Sequence, residues 1–293
     1  MESTSPRAPA EAQPERASAE PAAGLVPGLW RAAKQLIKLP FYALYERRLG
    51  AEAHTWTLPR HIGIIMDGNR RFARDFGRRR VLFGHARGAE KLREVLRWCQ
   101  ELGIPVVSVW SFSLDNFQRA EAEVADLLAL FEERTRELID SPDVHESEIR
   151  IRYIGKTELL PESLQTAIEE VEHATRHYDR FKLNIAMAYG GRQEITEAFR
   201  AYLRDQADRG GDLTQMASEF DDASIECFLY TSGQPEPDLI LRTSGEVRLS
   251  GFLLWQSAYS EFYFSDTYWP AFRRIDLYRA LRAYSQRQRR LGR

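Results

Sequence analysis

From Pro59 onward, short apolar runs alternate with segments whose apolar residues recur every three or four positions. Six runs predict strands: His61–Met66, Ile104–Phe112, Ile149–Gly155, Lys182–Tyr189 with Phe181 before it, Asp238–Thr243 and Glu261–Phe264. Most are apolar at consecutive positions, as in a parallel sheet covered on each face. Between them, Leu92, Val95, Leu96 and Cys99 fall on one helical stripe, and Val124, Leu127, Leu128 and Phe131 on another. Three more stripes follow: Leu164, Ala167, Ile168 and Val171; Ile195, Phe199 and Tyr202; Leu277, Leu281 and Tyr284. This alternation, without an internal repeat, predicts a single doubly wound α/β domain with a six-stranded, mainly parallel sheet and helices on both faces. The polar stretch Arg204–Asp222 is the expected mobile loop.

The pattern changes toward the N-terminus. Residues 1–24 contain no aromatic residue, Leu, Ile or Val, so they cannot bury enough surface to offset their ordering entropy. A disordered tail is expected there. Residues 25–56 read as a basic, amphipathic helical segment in which Leu29, Ala33, Leu36 and Ile37 share a face. Pro40 breaks that helix and a second short one follows around Phe41–Leu49. From Pro27 to Gly50, Arg31, Lys34, Lys38, Arg47 and Arg48 face a lone acid, Glu46. Such a segment suits an anionic membrane surface or docking on its own domain, and both readings stand. Residues 57–293 form the predicted folded domain.

Composition narrows the class. With 43% hydrophobic and 29% charged residues, the chain is neither collagen-like, nor a disulfide scaffold, nor wholly disordered. Its net charge of −2 is matched by the surplus of acids in the tail, where Glu2, Glu11, Glu15 and Glu20 outnumber Arg7 and Arg16. The remainder is neutral, so nucleic acid is not an expected partner. Cys99 and Cys227 read as buried thiols in a reducing compartment. No apolar run reaches the roughly 18 residues of a membrane span, and no signal peptide is evident. A cytoplasmic or membrane-associated protein is expected.

Ligands of open parallel sheets bind at the carboxyl ends of the strands, and polar clusters gather there. After the first strand comes Met66–Gly77, MDGNRRFARDFG. Asp67 could hold magnesium, while Gly68, Asn69, Arg70 and Arg71 suit anionic oxygens; a purely structural turn is the alternative. Ser111–Arg119, SFSLDNFQR, interleaves Ser113, Asp115, Asn116 and Arg119 with Phe112 and Phe117. That mixture fits a ligand with a charged head and an apolar tail, or equally a capped helix start. Arg242–Glu261 supplies Arg242, Arg248, Ser244 and Ser250 with two glycines, an anion cradle of guanidinium forks. Glu261 could complete a carboxylate site with Asp67. His173 and His177 lack the Glu of a zinc-protease helix, and Tyr189–Arg192 lacks the Lys-Ser/Thr of a phosphate loop.

Taken together, HIGIIMDGNRRFAR, GHARGAEKL, SFSLDNFQR, NIAMAYGGRQEI and RTSGEVRLSGFLLWQSAYSEFYF resemble the cis-prenyltransferase family of the undecaprenyl diphosphate synthase type, over about Leu58–Gly292. LYTSGQPEPDLILRTSGE and LPFYALYERRL are most similar to actinobacterial members, including short-chain Z-isoprenyl diphosphate synthases. The resemblance implies a magnesium-dependent enzyme that joins isopentenyl diphosphate to an allylic diphosphate and forms a cis double bond. It implies a homodimer and an apolar tunnel, for which Leu92, Leu96, Leu127 and Phe131 are candidates.

The implied roles map onto numbered residues. Asp67 is the essential carboxylate, and Gly68, Asn69, Arg70 and Arg71 cradle the allylic diphosphate with Phe72, Arg80 and His85 nearby. Ser113, Leu114, Asp115, Phe117 and Arg119 match a second substrate-binding segment. Asn116 matches a position assigned as proton acceptor, although a neutral carboxamide is a poor base and orienting the substrate suits it better. Arg242, Arg248, Leu249 and Ser250 match the isopentenyl diphosphate segment. Glu261 would join Asp67 at the metal, from the partner subunit or alongside. Phe72 and Phe117 stand where Trp is common, Asp115 where Glu is usual, and the small Ser111 at a tunnel-wall position that is bulky in some short-product enzymes. The rival reading, a non-catalytic accessory subunit of this fold, goes with loss of the Asp and the cationic cradle, both of which are present here.

Overall fold

A computed structural model describes Tyr42, residues 44–77 and residues 81–287. The tail expected at 1–24, the segment from 25 to 41 and Arg80 lie outside the described residues. By its internal contacts the chain divides into Met1–Tyr45 and Glu46–Arg293. In the first unit Tyr42, Leu44 and Tyr45 are helical. The second unit holds the whole sheet.

Within the second unit, after a helical stretch at 46–52, the order is β1 (His61–Ile65), α1 (Asn69–Asp75), α2 (Leu82–Glu101), β2 (Val106–Trp110), α3 (Glu121–Ile139), α4 (Pro142–Glu146) and β3 (Ile149–Ile154). Then come α5 (Glu162–Thr175), β4 (Phe181–Ala186), α6 (Gly191–Asp208), α7 (Leu213–Glu219), α8 (Asp222–Glu226), β5 (Leu239–Arg242), β6 (Glu261–Phe264) and α9 (Arg274–Gln286). The strands form one sheet in the order β3-β4-β2-β1-β5-β6, and every neighbouring pair is parallel. All five residues of β1 are buried, as its place between β2 and β5 demands.

The strands end one to three residues short of several sequence-based limits, because the polar clusters leave the sheet as soon as the ladder ends. The stretch Arg204–Asp222 is corrected more fully: it contains the end of α6 and all of α7. Asp212 and Asp221 cap α7 and α8 by accepting the backbone N–H of Gln215 (3.3 Å) and Ser224 (2.9 Å), so acids that suggested a loop are helix starts. Cys99 is buried but Cys227 is exposed.

One face of the sheet carries the main core. Ile62, Ile64, Val107, Val109, Ile151, Leu183 and Leu241 pack there against Leu96 of α2, Leu127 of α3, Ile168 of α5 and Leu281 of α9. The other face carries a smaller cluster of Ile65, Ile154, Ala186, Tyr189, Ile240, Phe252 and Leu253. Gly84 fixes α1 against α2, since a Cβ there would stand 2.0 Å from the carbonyl oxygen of Asn69.

A polar chain crosses the sheet beneath the smaller cluster. His61 donates from Nδ1 to the Pro235 carbonyl (2.7 Å) and its Nε2 accepts from the Ser108 hydroxyl (2.8 Å). Ser108 accepts from Asn184 (2.9 Å), which exchanges two hydrogen bonds with Gln234 (2.8 and 3.1 Å). Burial pulls the His61 imidazole down to about 4, against the opposing pull of the Pro235 carbonyl and Asp238. The unfolded chain therefore binds a proton that the folded chain refuses between pH 6.5 and about 4, and stability falls as pH drops through that window. Urea unfolding at stepped pH should show a shallower slope across the window in His61→Gln than in the parent; equal slopes would show that His61 is not held neutral.

Candidate active site

β1 and β5 are hydrogen-bonded neighbours, with Ile65 opposite Arg242, so Asp67 and Arg242 meet at one edge of a cleft at the carboxyl ends of the strands. Gly68 makes the turn possible. Its φ is +100°, and a Cβ would lie 2.8 Å from the Tyr268 ring and 3.0 Å from Ser244 Cβ. The Asp67 carboxylate accepts from Arg242 Nη2 (2.8 Å) and the Gly68 N–H (2.6 Å), with Arg71 Nη2 at 3.5 Å. Burial pushes this carboxyl up, but the hydrogen bond and charge of Arg242, then Gly68 and Arg71, outweigh it and hold Asp67 below the ordinary carboxylate range. The group is an anion at neutral pH. Thr243 Oγ1 donates to the Asp67 carbonyl (2.7 Å) and keeps the two strand ends in register.

Arg242 also donates to the Arg248 carbonyl (2.5 Å) and Ser250 Oγ (3.0 Å). This draws the segment after β5 into a cradle. Ser244 and Ser250 adopt positive φ there, 78° and 53°, a conformation that costs a non-glycine residue about 1–3 kcal/mol and collects at functional sites. Arg71 donates to Ser244 Oγ (2.6 Å) and Glu246 (3.1 Å), and Glu246 also pairs with Arg248. On the other wall Glu123 bridges Arg70 (3.5 Å) and Arg119 (3.2 Å).

The resulting cleft, about 1400 Å³, is lined by Arg70, Arg71, Arg74, Arg119, Arg242 and Arg248 against Asp67, Asp115 and Glu246. Six guanidinium groups facing three carboxylates suit a multiply charged anion. A second, apolar cleft of about 860 Å³ lies between α2, α3 and the sheet, lined by Leu92, Leu96, Leu130, Phe131, Leu138 and Ile185 among others. Met66, Asn69, His85, Trp110 and Ser111 line both clefts, so a polar chamber opens onto an oily one.

Of the residues singled out in the sequence, Asp67, Gly68, Asn69, Arg70, Arg71, His85, Ser113, Asp115, Asn116, Arg119, Arg242, Arg248 and Ser250 line the polar cleft. Asn116 Oδ1 accepts the Ser113 N–H (3.1 Å), so its carbonyl is committed and its amide N–H₂ remains to orient a ligand. Phe72 packs behind α1 on Phe76 and Phe83. Leu114 and Phe117 pack on the main core, and Leu249 on the smaller cluster; none of the four lines the polar cleft. Leu127 lines the polar rather than the apolar cleft.

The expectation that Glu261 stands alongside Asp67 within one chain is corrected. Glu261 pairs with Leu239, which is level with Ile62, at the amino end of the parallel sheet. There its carboxylate binds Arg287 (2.5 Å). Sequence reasoning gave no role to Glu123 or Glu246. No motif marks Glu123, and Glu246 sits unremarked between the arginines of RTSGEVRLSGFLLWQSAYSEFYF; Trp110 figured only as a neighbour of Ser111.

Among the described residues, no three His, Cys, Asp or Glu side chains are grouped to hold a metal. Magnesium commonly takes only one or two carboxylates and completes its shell with substrate phosphates and water. The single Asp67 carboxylate, 28% exposed beside an anion-binding cleft, fits that sparse demand.

Across residues 65–292 the chain matches the prenyltransferase family model for undecaprenyl diphosphate synthase. It is 49% identical over 249 residues to an isoprenyl transferase of Deinococcus radiodurans, spanning 85% of this chain and 90% of that protein. Over 254 residues it is 47% identical to the tritrans,polycis-undecaprenyl-diphosphate synthase (geranylgeranyl-diphosphate specific) of Pyrococcus horikoshii, spanning 87% and 94%. Lavandulyl diphosphate synthase from Lavandula x intermedia, solved in complex with dimethylallyl diphosphate, aligns with a TM-score of 0.73 at 34% identity, covering 80% of this chain and 99% of that one.

At the junction of the clefts, burial and then the charges of Arg119 and Arg70 pull the His85 imidazole down to about 4. It is therefore neutral throughout the physiological range. An NMR titration of the free protein should show His85 Cε1–H moving only below about pH 5; a midpoint above 6 would contradict this environment.

Proposed function

Because the chain belongs to the undecaprenyl diphosphate synthase family of cis-prenyltransferases, we propose that its two clefts condense isopentenyl diphosphate with geranyl or farnesyl diphosphate. The chain is an isoprenyl transferase; the primers, the metal and the residue roles are our reading. The observation that carries it is the Asp67–Arg242–Arg71 cluster at the mouth of an apolar cleft. A charged head and a hydrocarbon tail each find a matching chamber, as a prenyl diphosphate requires.

In this reading the allylic C–O bond breaks, diphosphate departs, and the freed carbon bonds to the terminal alkene carbon of isopentenyl diphosphate, which then loses a proton. Arg70, Arg71 and the Gly68–Asn69 turn hold the departing diphosphate, where fixed donors stabilise charge as it develops. Arg242, Arg248 and Ser250 hold the second diphosphate. Asn116 orients it through its amide N–H₂, and a phosphate oxygen is the better proton acceptor. Asp67 would hold magnesium, which when bound neutralises diphosphate charge. The apolar cleft excludes water and takes the growing tail.

Residues 57–293 carry this activity, and the chain works as a homodimer. Val247, Leu254 and Tyr259 support the pairing, since all three expose apolar surface in the segment after β5. Glu261 would reach an Asp67 only from a second copy. The end of the basic segment 25–56 docks on its own domain, with Leu49 and Ala53 buried and Trp56 edge-on to Tyr278, and the basic residues before it contact an anionic membrane, where the product's tail partitions. No helix among the described residues is long and apolar enough to cross one.

The test is incubation of the purified chain with magnesium, labelled isopentenyl diphosphate and each primer. A ladder ending at one size is expected; no incorporation with either primer would overturn the reading in favour of an accessory subunit. Asp67→Ala should keep its circular dichroism and lose turnover by about a thousandfold or more. Ser111 lines both clefts, so Ser111→Leu should shorten the product; an unchanged ladder would remove Ser111 from the path of the tail.

A further inference from the structure

Trp110 ends β2, in register with Ile65 of β1 and Ala186 of β4. Its indole lies parallel to Phe252 at 5.5 Å and edge-on to Tyr189 at 6.2 Å. Tyr189 is itself fixed, because its hydroxyl accepts the Leu253 N–H (3.1 Å) and donates to the buried Glu194. Two aromatic neighbours and the end of a central strand thus define where the indole N–H points. That N–H is buried and has no hydrogen-bond partner.

An indole nitrogen can only donate, and a buried donor without a partner is costly. In a cleft wall, such a cost is recovered when an acceptor arrives with the ligand. Trp110 lines both the polar and the apolar cleft, so the acceptor belongs where a charged head gives way to a hydrocarbon tail. Diphosphate oxygens are acceptors of the required kind. The ring rests on Phe252, two residues beyond Ser250 and in the segment that carries Arg248. This places the ring beside the segment whose Ser250 hydroxyl accepts from Arg242.

We propose that Trp110 binds the diphosphate of isopentenyl diphosphate through its indole N–H and sets the position of that substrate at the junction of the clefts. The inference rests on the transferase reading and adds a ligand contact to it. It follows from an orphaned donor, not from a motif.

Trp110→Phe keeps an aromatic ring against Phe252 and removes the donor. Its KM for isopentenyl diphosphate should rise about tenfold, while kcat and the KM for the allylic primer stay within about twofold. A purely structural role would instead lower stability and disturb both substrates together. The second readout uses the unsubstituted protein. With ¹⁵N-labelled tryptophan, the indole resonance missing from Trp110→Phe should shift downfield when isopentenyl diphosphate is added without primer, so that no turnover occurs. An unmoved resonance in an active enzyme, or an unchanged KM in a folded Trp110→Phe, overturns the proposal alone. Absence of incorporation by the parent enzyme overturns the transferase reading together with it.

Discussion

Arg242 is only 5% exposed, and a guanidinium so far from water survives only beside an anion that is itself held in place. Asp67 is that anion, and the demand of this pair organises everything around it. β1 and β5 must be adjacent and parallel for the two residues to leave the sheet together. The chain must turn sharply at Gly68, and the segment after β5 must fold back so that the Arg248 carbonyl and Ser250 Oγ accept from Arg242 Nη1. Ser244 and Ser250 accept unfavourable backbone angles in consequence. The strain sits where a ligand's charge would add to the reasons for keeping it.

Several cations in the cleft meet carboxylates within the chain. Glu246 ties Arg71 to Arg248, and Glu123 ties Arg70 to Arg119. These pairs are partly solvated, so each is weak. An entering diphosphate can replace them without stranding a bare charge in a dry interior. The free protein thus keeps its arginines aligned while holding them loosely enough to exchange partners.

Much of this was legible along the chain. The apolar runs at His61 and Asp238 marked central strands, and the polar residues directly after them had to emerge at one end of a parallel sheet. Asp67, Arg71, Arg242 and Ser250 followed from that logic and from the family resemblance. Other features depended on register and side-chain direction, which a linear pattern does not carry. Glu261 lies in the same sequence string as Arg248, yet the connection after β5 returns the chain to the amino end of the sheet, where Glu261 opens β6. Phe72 and Phe117 alternate with polar neighbours and turn inward. The acids at Asp212 and Asp221 signalled irregular chain and proved to be helix caps, because the same side chain serves either purpose until its neighbours are placed.

The absence of a side chain at Gly84 has a mechanical meaning. With the carbonyl of Asn69 lodged where a methyl group would otherwise stand, α1 and α2 meet backbone to backbone. α1 carries the arginines that face the charged head, and α2 forms part of the wall around the hydrocarbon. A side chain at position 84 would press first on the backbone of Asn69, so the wall around the tail and the grip on the head meet at one contact with no room for a methyl group.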